Sequence, residues 1–148
     1  MTKFYLSEDA VAAIARGMIE RSLPKAEWTH AAHFAACLWL LRDRLMPRVV
    51  ADMPGLIRAY NEATGGENTD TAGYHHTITL ASIGAAAQFL GRYPEHHPLH
   101  EVVDDLMVSP LGNPGWLMAY WTRPRLFSVE ARRGWVEPDI RAFPYGVG

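Results

Sequence analysis

The sequence predicts an all-α fold: a bundle of four to five main helices with a C-terminal wrap of short helices and loops. Three observations carry this. Apolar residues recur at helical spacing in successive stretches separated by proline and glycine. No stretch alternates apolar and polar residues with the period of two that a half-buried strand requires. Beyond Pro110 the texture changes, with prolines scattered among Trp116, Trp121 and Trp135, which suits short elements laid over a bundle rather than a second domain. At 148 residues the chain is read as a single helical domain, residues 1–148, large enough to bury a core.

The elements follow in order. Ser7 before Glu8 and Asp9 is a helix start: a capping oxygen, then negative charge in the first turn. Val11, Ile14, Ala15 and Met18 continue it at helical spacing until Pro24. A second helix opens at Thr29, a plausible N-cap, and runs to about Arg44. It is apolar almost all round, so it belongs at the centre. A third stretch from Pro47 to about Ala63 contains Pro54 and Gly55, expected to kink or break it. After the turn-rich Gly65–Asp70 comes the longest apolar helix, from about Thr71 to Leu90. There Gly84 and the alanines permit close approach of another helix. A fifth helix is expected from Leu99 to Val108, and Ser128 caps a short one over the following residues.

Composition bounds the function. The net charge of −2 argues against binding to nucleic acid or to an anionic membrane surface, which needs a basic face. The single cysteine, Cys37, excludes an internal disulfide and any CxxC motif, and is expected as core filler. The most apolar run, Ala31–Leu41, is too short to span a bilayer. Met1–Phe4 leads into an acidic helix start without a signal-peptide pattern, so the expectation is a cytoplasmic protein. Phosphate-cradling GxxxxGK, GxGxxG, HExxH and GxSxG motifs are missing, which leaves nucleotide-driven chemistry and common serine hydrolysis unsupported.

What remains is histidine inside apolar helices. His30 and His33 lie three apart on the central second helix and share a face. A buried imidazole demands a partner for each ring nitrogen, and a metal ion supplies one. In the fourth helix, spacing at about 100° per residue puts His75 among Ile78, Ser82, Ala86 and Phe89, opposite the polar side formed by Thr77, Gly84 and Gln88. His76 lies further round. Three imidazoles from two helices with one open position match the ligand count of a catalytic zinc site. A carboxylate in place of one would suit non-haem iron. Glu62 is the nearest carboxylate in chain order, although its helical position pairs it with Arg58.

Three other groupings are weaker. Glu95–Glu101, with His96, His97 and His100, is rich in possible ligands but sits at a proline-marked loop and is read as a solvated connection. Glu27-Trp28-Thr29-His30 fits the Glu-x-x-His of di-iron bundles, which need two such motifs and two further glutamates. The arginines at 123, 125, 132 and 133 beside Trp121, Phe127 and Trp135 could bind an anionic substrate or clamp the tail. Glu137 and Asp139 are the expected partners for a clamp.

The segments Trp28-Thr29-His30-Ala31-Ala32-His33-Phe34, Tyr60-Asn61-Glu62-Ala63 and Gly73-Tyr74-His75-His76-Thr77 resemble a family of short uncharacterised bacterial proteins. Its members carry (Trp/Phe)-Thr-His-x-Ala-His and Gly-Tyr-His-x-Thr motifs. Ala131-Arg132 and Glu137-Pro138-Asp139 fit the same pattern. The resemblance brings no activity; it implies only that His30, His33, Glu62 and His75 are the positions to watch, and it sets His76 at a variable place. The leading expectation is therefore a metal-dependent enzyme acting on a small molecule, hydrolytic or oxidative. Its divalent ion would be zinc, iron or nickel, held by His30, His33 and His75. Glu62 would be a fourth ligand or the general base, and Tyr60, Asn61, Tyr74 and Arg132 would contact substrate. The alternative is a non-catalytic helical domain whose histidines line a pocket for a small molecule, or a purely structural bundle.

Overall fold

The computed structural model describes residues 3–146, and every regular element in them is helical. Five longer helices come first: α1 (Glu8–Ile19), α2 (His30–Asp43), α3 (Met46–Ala63), α4 (His76–Leu90) and α5 (Leu99–Val108). Short 3₁₀ turns at Pro110–Gly112 and Trp116–Ala119 follow, then α6 (Arg123–Leu126) and α7 (Val129–Arg133).

Ser7 caps α1, accepting from the Ala10 N–H at 3.1 Å, and Val11, Ile14, Ala15 and Met18 are the residues it buries. Helix α2 touches each of the other four long helices. Its nearly uniform apolar surface is thereby explained: Phe34 and Leu38 are buried on one face and Leu40 on another, each contributing roughly 1.5–3 kcal/mol. Cys37 is buried among them, and burial pushes its thiol up to about 12, so it acts as a small apolar side chain. Helix α3 runs through Pro54 and Gly55 without the expected break. Val49, Met53, Ile57 and Tyr60 bury one stripe along it, and that packing holds the helix past the N–H that Pro54 lacks.

The largest departure from expectation is at α4, which begins at His76 rather than near Thr71. Residues 67–75 are held out of the helix by a local network. Gly73 adopts φ +82°, and a Cβ there would lie 2.0 Å from the Glu67 carbonyl oxygen, so only glycine fits. Asn68 Oδ1 accepts the Tyr74 N–H at 3.0 Å and the Asn61 amide at 3.1 Å, while its own amide donates to the Arg58 carbonyl and to Glu62.

Of the α4 side read as polar, Thr77 and Gly84 are buried beneath the C-terminal segment, and Gln88 is exposed. Thr77 Oγ1 donates to the Gly134 carbonyl at 2.8 Å and accepts the Val136 N–H. A Cβ at Gly84 would lie 2.0 Å from the Gly146 carbonyl oxygen: the close approach is made by the chain end, not by a helix. Trp121, fully buried, anchors this segment, with its indole N–H on the Val136 carbonyl and with Trp135 and Phe143 packed edge-on or tilted against it. No described helix is long and apolar enough to cross a membrane.

Candidate functional site

The first turn of α2 positions the two histidines of the Thr-His-x-Ala-His segment. Thr29 is the N-cap: its hydroxyl accepts the Ala32 N–H at 3.2 Å. Its carbonyl oxygen accepts twice, from the His33 backbone N–H at 3.0 Å and from His33 Nδ1 at 2.7 Å. A carbonyl can only accept, so the His33 proton sits on Nδ1 and Nε2 presents a lone pair. Trp28 stacks on the ring with centroids 3.9 Å apart.

His30 is turned elsewhere. Its Nε2 donates to the Leu111 carbonyl at 2.8 Å, which ties α2 to the 3₁₀ turn after α5, and its ring meets Phe34 edge-on. His75 lies on no helix face. It is the N-cap of α4, only 7 % exposed, with Nδ1 accepting the Ile78 N–H at 3.2 Å and Nε2 donating to the Leu126 carbonyl at 2.6 Å. Both nitrogens are committed, and no lone pair is left for a ligand. His76 Nδ1 pairs with the Tyr74 hydroxyl at 2.8 Å.

Glu62 is exposed at the end of α3, where its carboxylate accepts from Asn68 at 3.1 Å. It takes no part in lining the histidine cavities described below. The four positions thus have four separate sets of partners. Among the described residues no group of three or more His, Cys, Asp or Glu side chains is arranged to hold a metal ion, and we derive no chemistry through one. Tyr60 is buried, its hydroxyl on the Leu23 carbonyl. Asn61 and Tyr74 border a cavity, whereas Arg132 donates to the Gly73 and Tyr74 carbonyls and clamps α7 to the loop. Arg133 completes that clamp with a bidentate pair to Asp70 at 2.8 and 2.7 Å. The expected acidic partners serve other donors: the Asp139 carboxylate holds Thr122, and the Glu137 side chain takes the Trp135 indole N–H.

The Glu95–Glu101 stretch is more than a solvated connection. Glu8 of α1 accepts the Leu99 and His100 N–H groups at the start of α5, and His97 Nε2 lies 3.5 Å from Glu101.

Two cavities meet at His33. One, of about 330 Å³, is walled by Phe34, Trp116, Phe127 and Ile78, with His30, His33 and Ser82 as polar groups. The other, of about 490 Å³, lies toward Trp28, Asn61 and Tyr74 and includes the charged Lys25 and Glu67. His33 and Ile78 line both. His33 is exposed to solvent while it lines both cavities. Burial lowers its pKa below the ordinary 6.5, with His30 acting in the same direction against the Thr29 bond, so the neutral ring prevails at pH 7.

No family model, curated protein or solved structure matches the chain. The resemblance noted in the sequence thus rests on its motifs alone, and function must be argued from this geometry. The signal missed in the sequence is the aromatic wall. Trp116 and Phe127 lie far along the chain from His33, and no local spacing connects them. The hub residue Asn68 was likewise hidden in a stretch that reads only as a turn.

Proposed function

We propose that the protein is a small-molecule-binding helical domain, a five-helix bundle with a C-terminal wrap, whose ligand lies against His33. The observation that carries this is the His33 imidazole, which lines two cavities, is held by the Thr29 carbonyl through Nδ1 and has no protein partner at Nε2 among the described residues. Concave, mostly apolar sites with a few fixed polar groups are the usual form of a small-molecule site. A metal-dependent activity has less support, because the lone pair of His75 is taken by the Ile78 N–H and Glu62 points to Asn68.

Fragment screening by NMR tests the reading. Bound fragments should shift the His33 ring and Trp116 indole resonances, and Ser82→Phe, which fills the smaller cavity, should abolish the Trp116 shifts. Fragments that bind but leave both resonances unmoved would overturn the proposal, as would a screen of several hundred compounds without a hit.

A further inference from the structure

The polar lining of the smaller cavity decides which ligand chemistry fits it. No Asp, Glu, Lys or Arg lines it among the described residues. Of its imidazoles, His30 has its N–H committed to the Leu111 carbonyl, and His33 has its N–H committed to the Thr29 carbonyl. Each ring is left with a lone pair and no proton to give. The Ser82 hydroxyl and the Trp116 indole N–H are the neutral side-chain donors among the lining residues. Phe34, Trp116 and Phe127 supply aromatic surface, with Phe127 48 % exposed in the free protein at the rim.

Resting on the binding reading above, we infer that this cavity takes a neutral aromatic molecule bearing a hydroxyl or N–H donor aimed at His33 Nε2, and rejects aromatic carboxylates. A carboxylate would place negative charge against a lone pair in apolar surroundings, with only two neutral donors, one hydroxyl and one indole N–H, to replace its hydration shell. A phenol-like hydroxyl finds an acceptor there already oriented, which lowers the cost of binding. The low basicity of His33 supports the same outcome, since the ring does not become a cation at neutral pH to welcome an anion.

Calorimetric titration at pH 7.5 with 2-naphthol, 2-methylnaphthalene and 2-naphthoate separates the possibilities on one ring system. The hydroxyl compound should bind roughly five- to tenfold tighter than the methyl compound, the range a net hydrogen bond supplies. The carboxylate should bind more weakly than either. In His33→Phe the advantage of 2-naphthol should fall to about twofold or less. Equal affinity of 2-naphthol and 2-methylnaphthalene, or tightest binding of 2-naphthoate, would overturn the inference while leaving the cavity as a binding site. Binding of none of the three would overturn both. The wild-type comparison holds whatever the variant does to folding.

Discussion

At the start of α2, Thr29 caps the helix with its hydroxyl and takes the His33 Nδ1 proton on its carbonyl. At the start of α4, His75 does the capping itself through Nδ1 and spends its Nε2 proton on Leu126. Both turns bring an imidazole to a helix amino end, from motifs that look alike in the sequence. In the first, a threonine satisfies the helix and the histidine keeps an open lone pair. In the second, the histidine is the structural element that joins α4 to α6. Availability for chemistry is decided by which residue does the capping, not by how many histidines a motif contains.

The largest effect expected from this contrast is on stability. His75→Ala removes a cap, a buried hydrogen bond and buried volume, and should cost roughly 2–4 kcal/mol in urea denaturation. His33→Ala loses one bond beside a cavity and should cost under about 1 kcal/mol. Equal losses would break the comparison.

Acid comes next. Burial lowers the pKa of His75, and Arg132 adds to the effect against the Leu126 bond; His33 and His76 move the same way. A folded-state pKa below the ordinary 6.5 means that the unfolded chain takes up protons more readily. Stability from these groups is therefore fully present above that value and is lost as pH falls through the folded-state pKa. The urea midpoint should drop between pH 7.5 and pH 5.5, and less steeply in His75→Ala. An equal drop in the variant would remove His75 from the account.

Thr29→Ala should cost about 1 kcal/mol of capping. Because the Thr29 carbonyl remains, the variant should keep His33 oriented, and 2-naphthol should bind it as it binds the wild type. A large loss of binding would show that the hydroxyl, and not the carbonyl, sets the ring.

How far the sequence carried these conclusions varied by region. Helix α5 was legible to the residue, because its buried Leu99, Val102, Val103 and Leu106 repeat at helical spacing and Pro98 marks its start. The cap at Thr29 was legible for the same local reason. The start of α4 was not. Its apolar pattern extends back toward Thr71, while the φ of Gly73 and the bonds of Asn68, which exclude residues 67–75 from the helix, arise from contacts across the loop. Placing His75 on a helical wheel then gave it a face it does not have. Of the polar side assigned to Thr77, Gly84 and Gln88, only Gln88 is exposed, because a threonine and a glycine also suit a buried face that docks backbone. The shared helix of His30 and His33 was legible, but the bond that turns the His30 ring to the Leu111 carbonyl, far along the chain, was not.

The central claim is that His33 presents Nε2 as an acceptor while His75 has none to present, and imidazole ¹⁵N NMR at pH 7.5 reads this directly. The account predicts His33 as the Nδ1–H tautomer with an unprotonated Nε2, and His75 as the Nε2–H tautomer. A His33 ring protonated at Nε2, or charged at that pH, would contradict it.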